Sequence, residues 1–213
     1  MPTRNQRLQQ IDTYIYQPEE IKNFRLDEAV NEHPLKRRPI NLRSRLAYRE
    51  ILINTKATTK YILPGSMVVF NYPNPKFAED LEWYDKTPHV IMFGLTKDKK
   101  NNIREIGLNL NYFPPFARIR VVNTVYEVFK LYYQKYMFNE TSHKVNKYIN
   151  WPVLKRLCNK YKIGFGVKMY IPMLRKNTHI IPVRLWPTSC FCEGHFAKET
   201  LTNIMTYWRH FKL

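Results

Sequence analysis

Residues 104–115 read REIGLNLNYFPP. Ile106, Leu108 and Leu110 are two residues apart, with one Gly and one Asn between them, and this period is typical of a half-buried β-strand. The two prolines at the end of the stretch stop the strand and favour the start of a helix. The sequence therefore predicts a strand over residues 104–110 that leads directly into a helix.

Two more strands are predicted upstream, over residues 66–72 and 89–95. A Pro-Gly turn signal precedes the first of them, a proline precedes the second, and a polar connection joins the second to the strand already described. Gly107 in the third strand indicates a close approach of backbone or a bulge. Three short strands with tight connections predict a small antiparallel sheet or a partly open barrel at about residues 64–112.

Helices are predicted to cover this sheet. From Pro114 to about Phe138 the apolar positions step by three and four residues, which gives a helix one apolar stripe. The sequence also predicts a helix capped by Asn150, an extended stretch over residues 164–184 and a terminal helix over residues 197–210. The predicted fold class is α+β.

The first part of the chain differs from the rest. Few apolar positions cluster there, and a basic run, KRRP, occupies residues 36–39. We expect residues 1–60 to form an extended N-terminal arm and basic linker. Residues 61–213 then form the α+β domain, which is strand-rich over 61–113 and mostly helical, with a short strand pair, over 114–213.

The chain is strongly basic and its charge is uneven. Its 213 residues carry 35 Lys and Arg against 17 Asp and Glu, a formal net charge of +18. Residues 36–60 and 144–213 hold most of this excess, whereas residues 61–143 are close to neutral. Such basic segments form either a solvated surface or a contact with a polyanion. The concentration of positive charge in two segments favours the contact, with nucleic acid or an acidic protein as the partner. We expect no membrane partner, since no apolar run approaches the length that spans a bilayer.

Six basic residues close together, with Glu50 as the one nearby acid, define what we call the basic segment: Lys36, Arg37, Arg38, Arg43, Arg45 and Arg49. Arginine predominates, and its planar guanidinium favours paired hydrogen bonds to carboxylates or phosphates. Like charges at this density repel one another, so we expect the segment to dock on a neighbouring subunit or on DNA and not on its own sheet.

The last 30 residues combine aromatic and basic side chains, Trp208 and Arg209 among them. Such a surface can stack bases and contact phosphates. Alternatively, the aromatic residues form core or a subunit interface. Trp208 and Arg209 join the basic segment as candidate residues for binding a partner or nucleic acid.

The sequence contains no arrangement that argues for catalysis. Cys190, Cys192 and His195 form a sulfur and imidazole cluster, but a metal site needs a fourth ligand, and Cys-x-Cys is not the usual spacing of structural zinc ligands. The alternative is that the cysteines are reduced thiols that are buried or neutral. The four carboxylates within residues 79–85 are expected in a solvated acidic loop. The Gly-Phe-Gly at residues 164–166 lacks the pattern of a phosphate-binding loop, so we expect no enzyme, cofactor or metal.

Three motifs follow one another in the strand-rich region. They are PGSMVVFNY at residues 64–72, WYDKTPHVI at 83–91 and IGLNLNYFPP at 106–115, followed by Arg118. This series resembles that of small virion-associated proteins of tailed bacteriophages, a group that includes DNA end protectors and tail or baseplate components. The resemblance covers about residues 63–120.

The motifs have fold-building roles, and the resemblance implies a structural scaffold. We expect Asp85 to close a turn before Pro88, and Asn109 and Asn111 to share a strand face that lines an exposed or interface surface. The resemblance implies a non-enzymatic protein of the virion neck, tail or baseplate, made in the host cytoplasm and joined to other virion proteins through basic and aromatic surfaces. The alternative is a nucleic-acid-binding protein that protects or contacts the ends of packaged DNA.

Overall fold

The structure, a computed structural model, describes residues 25–59, 62–73, 84–139, 144–145, 148–194 and 196–197. Within these residues the α-helices are α1 (Leu26–Glu32), α2 (Ile40–Asn54), α3 (Pro115–Tyr132), α4 (Trp151–Lys160) and α5 (Trp186–Ser189). The strands are β1 (Ala57–Thr58), β2 (Met67–Asn71), β3 (Tyr84–Asp85), β4 (His89–Lys97), β5 (Ile103–Asn109), β6 (Phe138–Asn139), β7 (Lys144–Val145), β8 (Val167–Tyr170), β9 (Lys176–Ile180) and β10 (Phe196–Ala197). Short 3-10 helices lie at Pro34–Arg37, Leu110–Tyr112, Gly164–Gly166, Pro172–Leu174 and Val183–Leu185, and a π-helical turn lies at Tyr133–Met137.

Six of the strands form one open antiparallel sheet, in the order β1-β9-β2-β4-β5-β8. The strands predicted over residues 66–72, 89–95 and 104–110 are confirmed as β2, β4 and β5. The stretch predicted to be extended supplies β8 and β9, which pair with other strands and not with each other. Strand β8 lies beside β5, and β9 is inserted between β1 and β2. The predicted α+β class with an open sheet is therefore confirmed.

The apolar stripe predicted for the helix after the sheet is confirmed in α3. Val125, Val128 and Phe129 are fully buried in the main core, and the ring centroids of Phe129 and Phe93 lie 4.5 Å apart. The helix is shorter than predicted because a π-helical turn follows it. In this turn the hydroxyl of Tyr133 donates a hydrogen bond to the carbonyl oxygen of Phe93, 2.9 Å away, which anchors the helix end to β4. Neither α3 nor any other helix in the described residues combines the length and apolarity needed to cross a membrane.

The two faces of the central strands bury different clusters, because side chains alternate along a strand. Val69 and Ile91 belong to the main core, which the helices share. Val68 and Val90 belong to a smaller cluster, which lies on the other face. The helices are therefore gathered on one side of the sheet.

The described part of the N-terminal region packs on the same core as the sheet. Ala47 and Ile51 of α2 are fully buried in the main cluster, together with residues of α1. The hydroxyl of Tyr48 donates a hydrogen bond to the carbonyl oxygen of Glu193, 2.9 Å away. The expectation that residues 36–49 dock away from their own domain is therefore wrong. Leu46 and Tyr48 of α2 pack against the same cluster, so one side of α2 is apolar although the helix carries several arginines.

Gly107 confirms the close approach of backbone that its place in β5 indicated. A Cβ atom at this position would lie 2.2 Å from Cγ1 of Val90 and 3.0 Å from the carbonyl oxygen of Ile91. We predict that Gly107→Ala lowers the free energy of unfolding by about 1–3 kcal/mol, because a packed strand cannot accept the extra methyl group. Chemical denaturation of the two proteins measures this difference.

The matched control is Met173→Ala, at a side chain that is 89% exposed. This change should alter the free energy of unfolding by no more than about 0.5 kcal/mol. If Gly107→Ala were as stable as the control, β4 and β5 would not be packed as described.

Candidate nucleic-acid interface

The second and third sequence motifs meet in a buried polar network around Asp85. Its carboxylate accepts hydrogen bonds from the side-chain amides of Asn109, 2.9 Å away, and Asn111, 2.7 Å away. It also accepts one from the backbone N–H of Thr87 at 3.0 Å, which confirms the predicted turn.

Two expectations about this network are wrong. Asn109 and Asn111 are buried and do not line an exposed surface, and Asp85 is buried and does not lie in a solvated loop. The physical reason is that a carboxylate removed from water needs donors, and the two amides supply them. The other carboxylates of the expected acidic loop, Glu79, Asp80 and Glu82, lie outside the described residues.

Arg118, on α3, makes a separate set of buried hydrogen bonds. Its side chain is fully buried, and its Nε donates a hydrogen bond to the carbonyl oxygen of Phe113 at 3.1 Å. Its Nη1 donates to the carbonyl oxygens of Cys190, 3.1 Å away, and Cys192. The guanidinium thus ties the segment after α5 to the residues that precede α3.

His89 lies in β4 close to Arg118 and is also fully buried. In the described part of the chain neither ring nitrogen has a hydrogen-bond partner. Burial, and then the positive charge of Arg118, lower the pKa of His89 to about 3. The imidazole is therefore neutral at physiological pH and is not poised to exchange protons there.

The cysteines are buried, as one of the two sequence alternatives required. Burial raises the pKa of the Cys158 and Cys190 thiols to about 12 and raises that of Cys192 further. Thiols with these pKa values stay protonated, whereas nucleophilic attack needs the thiolate. Among the residues that the structure describes, no group of three His, Cys, Asp or Glu side chains could hold a metal ion, and His195 lies outside them.

The basic segment lies on the surface, although α2 packs on the core. Lys36, Arg37 and Arg38 are exposed between α1 and α2, and Arg45 and Arg49 are exposed on α2 itself. Arg43 is half-buried, and its guanidinium carbon lies 5.4 Å from the ring centroid of Phe191. Trp208 and Arg209 lie outside the described residues.

A second basic surface lies within residues 144–213, the other segment in which the sequence concentrates positive charge. We call it the edge basic surface, and it consists of Lys155, Arg156, Lys160, Lys162 and Lys168. All are exposed except Lys168, which is half-buried. The charge count along the sequence finds this segment, in which no Asp or Glu occurs between residues 141 and 192, but it does not show which of its basic residues lie close together.

The two basic surfaces are attached to opposite edges of the sheet. Helix α2 leads into β1, which forms one edge, whereas the edge basic surface includes a residue of β8, which forms the other. Five strand spacings of about 4.8 Å separate these edges by roughly 24 Å.

Comparison with known protein families identifies a match. A family model described as the phage T4 terminal DNA protecting protein matches residues 26–189. No curated protein and no solved structure matches the chain. The matched residues include the basic segment, the edge basic surface, Asp85 and Arg118.

The buried, neutral state of His89 predicts how stability depends on pH. In the unfolded chain a histidine titrates near its ordinary pKa of about 6.5, so below that pH the unfolded state binds a proton that the folded state excludes. Stability is therefore lost as the pH falls from about 6.5 towards 3. Between pH 6.5 and pH 5 the wild type should lose about 1.5 kcal/mol more than the variant His89→Gln.

Denaturation by guanidinium chloride at the two pH values measures this difference, and other titrating groups cancel in the comparison. The control is His33→Gln, because His33 is only half-buried and burial lowers its pKa less. The assignment of a neutral His89 is wrong if His89→Gln and the wild type lose the same stability over this range.

Proposed function

The chain belongs to the family of the phage T4 terminal DNA protecting protein, and we propose from this that it binds the ends of packaged phage DNA and protects them without catalysing a reaction. The observation that carries the proposal is the match over residues 26–189, which includes both basic surfaces. DNA is then the main partner. The protein is made in the host cytoplasm and acts in the virion.

Electrostatics support DNA as the partner. The formal net charge of +18 is large for a chain of 213 residues, and much of it lies in two surfaces. Lys and Arg that contact phosphates release counterions, which is why such binding weakens steeply as salt increases. Phosphate contacts do not read base sequence. They therefore suit a protein that must accept a DNA end whatever its sequence is.

The packing of α2 supports a role for the basic segment in this binding. Arg45 and Arg49 are exposed, whereas Ala47 and Ile51 on another side of the same helix are anchored in the core. Residues four apart are neighbours on a helix surface. The fold thus holds two guanidinium groups side by side on a rigid element, and each can donate two parallel hydrogen bonds to phosphate oxygens.

An exposed apolar patch supports a second kind of contact. Leu52 and Ile53, at the end of α2, are 49% and 70% exposed and adjoin the exposed Arg49. Apolar surface rimmed by charged residues is typical of protein contact sites. We therefore propose that α2 also joins the protein to another virion protein, in the neck, tail or baseplate.

We predict that the wild type binds linear duplex DNA and that the four changes Arg37→Gln, Arg38→Gln, Arg45→Gln and Arg49→Gln weaken this binding by at least about tenfold at 150 mM salt. The slope of log affinity against log salt should also fall by up to about 3–4, because up to four phosphate contacts are lost. Gel-shift titrations at several salt concentrations measure both quantities. Protection of the same DNA from an exonuclease should be lost in parallel.

The control removes the same charge elsewhere, at four exposed lysines: Lys86, Lys99, Lys100 and Lys130. It should bind nearly as tightly as the wild type. Closed circular DNA should compete poorly with linear DNA for the wild type. Absence of binding even at low salt, or equal competition by circular DNA, contradicts the proposal that DNA ends are bound. An equal loss in the control would mean that net charge, and not the basic segment, determines affinity.

A further inference from the structure

A cleft lies beside β8, at the free edge of the sheet. We call it the edge cleft; its volume is about 400 Å³, and it is lined by Tyr112, Lys155, Asn159, Gly164, Phe165 and Lys168. Helix α4 forms one wall, β8 forms another, and the 3-10 turn at Gly164–Gly166 lies between them. This volume is within the range of sites that bind small organic molecules.

Two lysines give the edge cleft its charge. Nζ of Lys168 lies 4.2 Å from the ring centroid of Tyr112, so its ammonium group is held at the wall of the cleft. Burial, and then the ammonium group of Lys155, lower the pKa of Lys168 to about 8. Lys168 therefore remains mostly protonated at neutral pH, and two positive charges are held near each other. A phosphate group placed between them would relieve this repulsion.

The turn beneath the edge cleft requires its glycines. A Cβ atom on Gly164 would lie 1.7 Å from Oδ1 of Asn159, and one on Gly166 would lie 2.4 Å from Cε2 of Phe113. The Gly-Phe-Gly sequence thus lets the turn lie directly under the amide of Asn159. It also places the half-buried ring of Phe165 in the lining, 4.6 Å from that of Phe113.

We propose that the edge cleft binds the terminal nucleotide of a DNA strand, with the terminal phosphate on Lys155 and Lys168 and the base on Phe165. This inference rests on the proposed function and deepens it. Ammonium groups bind phosphate as point charges. Aromatic rings stack on bases of any sequence, and the amide of Asn159 can hydrogen-bond to a base edge or a phosphate.

The size and surroundings of the edge cleft favour the end of a strand over its interior. A base within a duplex is paired and stacked on both sides, and it must be unstacked at a cost before it can enter a pocket. A terminal nucleotide has a neighbour on one side only, so its release costs less. The other residues of the edge basic surface, including Lys160 and Lys162, are exposed next to the cleft and can hold the phosphates that follow.

The test compares blunt duplexes of one sequence that carry a 5′-phosphate, a 3′-phosphate or no terminal phosphate. The full chain should bind one of the phosphorylated ends at least about tenfold more tightly than the unphosphorylated end. The double variant Lys155→Gln and Lys168→Gln should lose this preference. The matched control, Lys160→Gln with Lys162→Gln, removes the same charge at exposed positions and should weaken all three duplexes alike while keeping the preference. Thermal unfolding shows that the variants remain folded.

The outcomes separate this inference from the proposed function. If the wild type binds linear DNA in preference to circular DNA but ignores the terminal phosphate, the edge cleft is not the end-binding site and the proposed function stands. If the preference persists in the double variant, the inference is also overturned. If the wild type binds no DNA, both fail. A free deoxynucleoside monophosphate that binds as tightly as the phosphorylated duplex would identify a nucleotide site and not a DNA-end site.

Discussion

A buried positive charge determines how the parts of this molecule fit together. The guanidinium of Arg118 is removed from solvent and donates hydrogen bonds to carbonyl groups just before α3 and in the segment after α5. Because an isolated charge in such a place is very costly, both segments must be in position for Nε and Nη1 of Arg118 to make these hydrogen bonds. Glu193 follows Cys192, whose carbonyl oxygen accepts a hydrogen bond from Arg118. The carbonyl oxygen of Glu193 accepts a hydrogen bond from the hydroxyl of Tyr48, and its backbone N–H donates one to the side-chain oxygen of Ser44 in α2. The segment that accepts the hydrogen bonds of this buried charge therefore also contacts α2, the helix that carries part of the basic segment.

Local patterns predicted the centre of the sheet because they depend on residues that are close in sequence. The same holds for α4, where the side-chain oxygen of Asn150 accepts a hydrogen bond from the N–H of Val153 as predicted. Pairing between distant segments leaves no such pattern, and so the places of β8 and β9 were not foreseen. Asn109 and Asn111 show the same limit, since polar residues on a strand suggest exposure unless the position of the carboxylate of Asp85 is known.

The candidate binding residues show the same difference between local sequence patterns and contacts of distant segments. The basic segment is contiguous in sequence, so counting charges along the chain is enough to find it. The residues of the edge cleft are not contiguous in sequence. Lys155 lies on α4 and Lys168 lies on β8, and the turn between these elements brings the two lysines to the same cleft. The glycine and the lysines that line the edge cleft form no recognisable sequence motif. What identifies the cleft is the tight packing of Gly164 under Asn159, which only the folded chain displays.

The place of β9 between β1 and β2 governs the order in which the chain can fold during synthesis. Ala57 of β1 lies opposite His179 of β9, although the two residues are far apart in sequence. Pairings of this kind form slowly because a long loop must first close. Until residues 176–180 have emerged from the ribosome, β2 has an unpaired edge, and such edges pair readily with other chains. Nascent copies are thus most prone to aggregate before β9 is made, and the N-terminal half reaches its final structure only after synthesis has passed this strand.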